Sequence, residues 1–171
     1  FVNVDWFFLS HRLPIAKASK ANNIEMVVYT DFTQPHAPEE FEGFNLHQSP
    51  VRRKYTSLFY LMLEVLKSYR LIRKCKPDLI HAVTIKPILI LGLVARLTST
   101  PFIGAISGLG PAFSAVDALS SLRLRVIVYV FKFVFGGGRS GVICQSTNDR
   151  DILLSFGICS ANQVALIKGS G

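Results

Sequence analysis

Four short stretches of this sequence combine residue types that bind anions, move protons or let a backbone approach a ligand. The first is Asn3-Val4-Asp5-Trp6-Phe7-Phe8-Leu9-Ser10-His11-Arg12. It sets Asp5, Ser10, His11 and Arg12 at the start of a helical pattern, where free backbone N–H groups favour anions. The same residues also describe an ordinary capped helix with a surface His–Arg pair. The second is His81-Ala82-Val83-Thr84-Ile85-Lys86-Pro87. An imidazole at a strand end donates or accepts a proton, and the Lys86 ammonium matches a phosphate or carboxylate. Equally, His81 reads as a satisfied interior imidazole and Lys86 as a helix opener. The third, Ser107-Gly108-Leu109-Gly110-Pro111, has two glycines that permit close backbone approach to a ligand, or that simply serve a tight turn needing positive φ. The fourth, Gln145-Ser146-Thr147-Asn148-Asp149-Arg150, is a polar strand end that also makes a helix cap.

Strands and helices must position these groups. Short β-branched or apolar runs predict strands at 1–4, 26–30, 79–82, 102–106, 141–145 and 163–167, with one more near 44–47. Helical patterns lie between them at 10–21, 55–74, 88–97, 119–135 and 148–156. Such alternation predicts βαβ units and a mostly parallel sheet covered by helices on both faces, a Rossmann-like three-layer αβα domain. Ser10 is expected to cap the first helix, and Ser146 or Thr147 the last. Asp149 and Asp151 are expected in that last helix's first turn, where the dipole favours negative charge. Lys76-Pro77-Asp78 stops the long helix and starts a strand. In an open parallel sheet ligands bind outside the carboxyl ends of the strands, and all four stretches follow strands. The first lacks a G-x-G-x-x-G fingerprint, which argues against a dinucleotide site of that type.

Composition narrows the classes. With 171 residues, 50% hydrophobic and 18% charged, the chain is one domain's length and is not disordered. A mean hydropathy of +0.37 calls for strands buried on both faces, or for a surface that meets lipid or another domain. The net charge of +8 favours anionic partners. The basic residues form no single stripe with interleaved aromatics, which argues against nucleic acid. Arg123, Arg125, Lys132 and Arg139 among aromatic and aliphatic residues suit an anionic membrane face, or a core helix with solvated charges; Arg52-Arg53-Lys54-Tyr55 is similarly ambiguous. Cys75, Cys144 and Cys159 are odd in number, lack metal-ligand spacing and read as buried packing residues of a reducing compartment. No run approaches the roughly 20 apolar residues of a membrane span. Opening on Phe1 inside a strand pattern and closing on Gly169-Ser170-Gly171, the sequence reads as a piece of a longer protein.

Taken in order, the 3–16 segment, Lys76-Pro77-Asp78 through Pro87, Ser107 to Ser114, Cys144 to Asp151 and the closing Leu166-Ile167-Lys168-Gly169-Ser170-Gly171 resemble the N-terminal domain of bacterial family 4 glycosyltransferases. These have the GT-B fold, and the likeness is to the branch that builds surface polysaccharide. The resemblance implies an acceptor-side half of a two-domain, retaining enzyme, with the donor-binding half outside this chain. It implies a nucleotide-sugar co-substrate, no cofactor and no bound metal. It further implies a saccharide or polyprenyl-diphosphate-linked saccharide acceptor, at the inner face of the cytoplasmic membrane. By position, 5–12 would border the donor phosphates and acceptor, 81–87 would line the acceptor side, and Ser107, Gly108 and Gly110 would sit beside the transferring sugar. Gly169 and Ser170 would begin the interdomain loop. His11 and His81 are the candidate catalytic groups. Two departures stand out: Trp6-Phe7-Phe8 lies where many members carry a glycine pair, and Ser107-Gly108 where many carry a histidine. A stand-alone α/β binding or scaffold module at a membrane surface is the alternative.

Overall fold

The computed structural model describes residues 1–33, 41, 44, 46–52, 57–113 and 118–168. Among these, the strands are β1 (Val28–Thr30), β2 (Leu46–Gln48), β3 (Ile80–Val83), β4 (Phe102–Ile106), β5 (Ser140–Cys144) and β6 (Val164–Leu166). A helical run opens with α1 (Asp5–Phe7), passes through a π-helical segment Phe8–Arg12 and ends in α2 (Leu13–Ala21). The other α-helices are α3 (Leu58–Cys75), α4 (Ile85–Thr98), α5 (Ala118–Phe135) and α6 (Thr147–Ser155).

Every strand pairing is parallel: β2 with β1, and β3, β4, β5 and β6 in that order. The first two residues join the two sets. Val2 N–H donates to Tyr29 O at 2.9 Å and bridges to Thr30, while Val83 N–H donates to Phe1 O at 3.0 Å. The hydrogen-bonded order is therefore β2, β1, residues 1–2, β3, β4, β5, β6. Counted along the chain this is third, second, first, then fourth onward, the doubly wound order, and progress reverses direction between Val2 and β3.

One face carries α3, α4, α5 and α6 over a large core that includes Ile72, Leu91, Phe131, Phe135 and Leu153. The opposite face carries the first helical run, with Phe8 and Ala16 on Val2, Val28, Val83 and Ala105. Close approach on the larger face depends on two glycines. A β-carbon on Gly104 would stand 2.8 Å from the Phe135 ring, and one on Gly92 would stand 2.4 Å from Val134, where α4 crosses α5.

Several expectations need correcting. The first strand contracts to a single bridge at Val2, because the helical run begins at Asp5. Asp5 accepts from the Trp6 N–H at 2.9 Å, so the carboxylate, and not Ser10, serves the first turn. Ser10 lies inside the π-helical segment. Helix α6 is capped by Ser146, whose hydroxyl accepts from Asp149 N–H at 3.1 Å; Asp149 is in its first turn, whereas Asp151 lies beyond it and pairs with Arg150 at 2.9 Å. Cys144 is buried but Cys75 is exposed at the end of α3. Lys76 ends α3 in the left-handed region (φ 47°), as the Lys-Pro-Asp punctuation implies.

Candidate functional site

Because the strands are parallel, the segments leaving their carboxyl ends share one edge. Residues 3–6, 31–33, 84–86, 107–110 and 145–147 all lie there. The reversal of strand order opens a crevice on this edge, between the exit of residues 1–2 and that of β3.

Asp5 stands at the crevice but is fully buried. Its Oδ2 accepts from Thr33 N–H at 2.8 Å, and its Oδ1 accepts from Thr33 Oγ1 at 2.7 Å and from the Trp6 N–H. The carboxylate thus ties the loop after β1 to the start of the helical run. Trp6 is left 46% exposed at the edge.

The π-helical segment sets Ser10, His11 and Arg12 down the helix from the edge. Ser10 Oγ donates its one hydrogen bond to Trp6 O at 2.8 Å, so it accepts one from His11 Nδ1–H, 2.5 Å away. This assigns the neutral imidazole its Nδ1–H tautomer and leaves the Nε2 lone pair to accept. His11 stacks on Phe7 with centroids 4.5 Å apart, which fixes the ring plane. Arg12 lies 5.6 Å from the same ring, with Nε and Nη2 buried and unpartnered among the described residues; burial pushes its pKa down. A π turn within an α-helix re-aims side chains, and such turns recur at functional sites.

His81 and Val83 share a face of β3, and Val83 packs with Phe8 and Ala16. His81 therefore lies under the first helical run, two residues in from the edge. Burial, with the charge of Arg12 adding, brings its pKa down to about 4, so the ring is neutral at physiological pH. Its Nε2 is buried without a partner among the described residues.

Thr84 is at the edge itself. Its backbone adopts φ 73° and ψ 160°, a region that a β-branched residue almost never occupies, and its hydroxyl is buried without a partner among the described residues. It precedes α4 without supplying a side-chain cap. Lys86, in the first turn of α4, is held elsewhere: Nζ stands 2.9 and 2.8 Å from the two carboxylate oxygens of buried Glu64 and also donates to Arg52 O. Glu64 accepts from Arg52 N–H at 2.8 Å as well. This network pins α4 to α3 and to the segment after β2.

Between Ser107 and Gly110 the backbone takes φ 141° at Gly108 and φ 43° at Gly110, and among the described residues no atom stands within 4 Å of where either side chain would begin. Leu109 between them is buried and its N–H donates to Asp149 Oδ1 at 3.0 Å. An anchored leucine thus presents two bare glycine surfaces to the edge. Gly169 and Ser170 lie outside the described residues.

Sequence reasoning missed Asn3, whose buried Oδ1 has no partner among the described residues, and the Asp5–Thr33 and Asp149–Leu109 links. Glu64 carried a readable signal: it is the one acid in a leucine-rich helix, on its inward face. Asn3 and Thr84 at the edge, with Arg12 and His81 beneath the first helical run, leave several buried polar atoms without partners among the described residues, and unsatisfied groups of this kind mark a site that a ligand or water completes. No group of three or more His, Cys, Asp or Glu residues comes together among the described residues.

The model of the glycosyl transferase 4-like family matches residues 1–136. No curated protein sequence matches the chain. Among solved structures, a UDP-N-acetylglucosamine 2-epimerase superposes with a TM-score of 0.68 at 11% identity, covering 99% of this chain and 46% of that one. A glycosyltransferase from Rickettsia africae ESF-5 gives 0.68 at 13%, covering 98% and 42%. MurG of Acinetobacter baumannii gives 0.50 at 15%, covering 94% and 41%. The chain spans less than half the length of each of these proteins, as one Rossmann-like half of a GT-B fold does. At such identities the likeness concerns fold, and a fold shared by an epimerase and transferases does not choose the chemistry. The family model, which matches over most of the residues, shows the family: this chain belongs to the glycosyl transferase 4-like family.

Proposed function

We propose that the chain is the acceptor-side half of a retaining glycosyltransferase whose donor-binding half lies outside it. It transfers a sugar from a nucleotide-sugar to a lipid-linked saccharide in cell-surface polysaccharide synthesis, working as a peripheral protein on the inner face of the cytoplasmic membrane. The observation that supports the acceptor-side reading best is the crevice at the strand-order reversal, flanked by Trp6, Thr84 and the open glycines Gly108 and Gly110. In this reading Thr84, Ser107, Gly108 and Gly110 receive the saccharide by close backbone approach. His11 Nε2 accepts the hydrogen bond of the attacking hydroxyl, which holds its oxygen toward the anomeric carbon. Asp5, Ser10 and Lys86 act from behind, keeping the loop, the His11 tautomer and the start of α4 in place. Arg12 supplies positive charge for the departing diphosphate. No metal or cofactor is part of this proposal. Among the described residues no helix is long and apolar enough to cross a membrane.

The test is sugar transfer by the full-length protein, using radiolabelled nucleotide-sugars and a polyprenyl-diphosphate-linked saccharide. Residues 1–171 alone are expected to be inactive. His11→Ala should lower kcat by roughly a hundredfold, the usual size of a lost proton acceptor, and His11→Gln should recover part of it. Unchanged kcat in both variants removes His11 from the reaction, and turnover by residues 1–171 alone removes the half-enzyme reading.

A further inference from the structure

Trp6 is the single tryptophan of the chain, and among the described residues it joins neither apolar core. It leaves 46% of its surface exposed, whereas Phe8, two residues on, is buried under the first helical run. Tryptophan is highly buried on average, so an indole left out on the ligand edge of the sheet calls for a reason. Its backbone is held on both sides. The N–H donates to Asp5 Oδ1 at 2.9 Å, and the carbonyl accepts from Ser10 Oγ at 2.8 Å. Asp5 is itself fully buried and tied to Thr33, so the support is the carboxylate that joins the loop after β1 to the helical run. The ring is held as well. It meets Phe7 edge to face, with centroids 5.9 Å and planes 78° apart, and Phe7 lies flat on His11. Indole, phenyl and imidazole thus form one connected row, from the crevice down the helix to His11. A ring fixed in this way loses little freedom when a ligand settles on it. It also stands where many members of the family carry glycine, so this loop meets a ligand with a flat apolar face and not with bare backbone.

We infer that Trp6 is the platform on which a neutral pyranose ring of the acceptor stacks, and that it favours acceptors that carry such a ring at this edge. The inference rests on the glycosyl-transfer reading above and adds to it a specificity-determining residue and the class of sugar it takes. The face of an indole carries partial negative charge. The C–H bonds on one side of a pyranose carry partial positive charge, so the two attract while both shed water. A carboxylate or phosphate over the same face is repelled. Stacking on an aromatic face is tolerant of the substituents around the stacked ring. The indole therefore sorts ring from phosphate, and neutral sugar from anionic sugar, and leaves individual hydroxyls to Thr84 and the 107–110 turn.

Two measurements on the full-length protein test this. The first needs no sugar transfer. The difference in fluorescence between wild type and Trp6→Phe isolates this indole, and it is followed against methyl β-cellobioside, methyl β-glucuronide and pyrophosphate. A saturable change is expected with the neutral disaccharide and none with the two anions. No change with the disaccharide, or an equal change with pyrophosphate, overturns the inference. The second is steady-state kinetics with a water-soluble disaccharide diphosphate as acceptor. Trp6→Ala should raise the acceptor KM by roughly tenfold or more, the scale of one lost stacked ring. The nucleotide-sugar KM should stay as it was, and kcat should fall by less than the acceptor KM rises. Trp6→Phe, which keeps a ring, should recover most of the loss. A raised nucleotide-sugar KM with the acceptor KM unchanged would make the indole part of the donor side. A fall in kcat alone would make it a support for His11 through Phe7. Either result overturns the inference, as does no change in any constant. If the protein transfers no sugar yet the disaccharide signal is present, the transfer reading fails and the saccharide platform stands. Normal transfer by Trp6→Ala removes the platform and leaves glycosyl transfer standing.

Discussion

Replacing Thr84 by glycine should stabilise this domain. At φ 73° and ψ 160° the threonine sits where glycine alone is at ease, a strain of about 1–3 kcal/mol. Its hydroxyl is buried without a partner among the described residues, a further desolvation cost of about 1–3 kcal/mol that glycine removes. Against this stand about 0.5–1 kcal/mol for the greater freedom of an unfolded glycine and about 0.8 kcal/mol for the lost methyl group. At the middle of these ranges the balance is a gain of about 2–3 kcal/mol, which raises the Tm of a domain this size by about 2–4 °C per kcal/mol. Urea and thermal unfolding of wild type, Thr84→Gly and Thr84→Ala measure it. Alanine keeps the β-carbon in the strained region and loses the hydroxyl together with the γ-methyl, so it should recover only part of the gain. Should glycine lower stability by more than about 1 kcal/mol, the residue's native contacts outweigh its strain and the reasoning fails. In the intact enzyme the same substitution is expected to lower activity, since the held backbone is what shapes the crevice at the end of β3.

Three further outcomes follow from the geometry. Lys86→Met should destabilise by about 3 kcal/mol, because it leaves Glu64 charged and buried; adding Glu64→Gln should restore most of that, measured by denaturant unfolding, and simple additivity of the two losses would refute the pairing. His81 has a folded pKa of about 4, below its ordinary value of 6.5. The unfolded chain therefore binds the proton more readily, and the stability contributed by the neutral ring is complete above pH 6.5 and lost as pH falls toward 4. The loss should approach about 3 kcal/mol and be flattened in His81→Gln. Gly108→Ala and Gly110→Ala meet no neighbouring atoms among the described residues, so their cost should be confined to backbone strain of about 1 kcal/mol each, while sugar transfer by the full-length enzyme should fall further than stability does.

Much of the fold could be read before any coordinates. Phe102–Ile106 is a strand with the expected bounds, since an apolar run between Thr100-Pro101 and Ser107-Gly108 has no other good conformation. Helix α5 differs from expectation by one residue at its start. The opening misled because Phe1 to Val4 has the composition of a strand, yet Asp5 can serve a helix's first turn and Phe8 buries better from a helix lying on the sheet. The glycine turn after β4 was legible as a place of positive φ. The pairing of Lys86 with Glu64 was not: the residues are 22 apart, and nothing local specifies which face of α3 meets the start of α4. His81 was legible as a strand-end imidazole, but which side of the sheet it faces depends on the register with residues 1–2 and β4. The strain at Thr84 left no mark in the sequence, because a single threonine before a helix ordinarily reads as a cap.

The measurement that tests the central claim most directly is an amide chemical-shift titration of the chain with a water-soluble analogue of the acceptor's saccharide diphosphate. The account predicts saturable shifts at Trp6, Thr84, Gly108 and Gly110, on the edge where the strand order reverses, and at His11 on the helical run that descends from it. Shifts gathered at Arg96, Ser99 and Arg139, which lie together at the opposite edge, would contradict it.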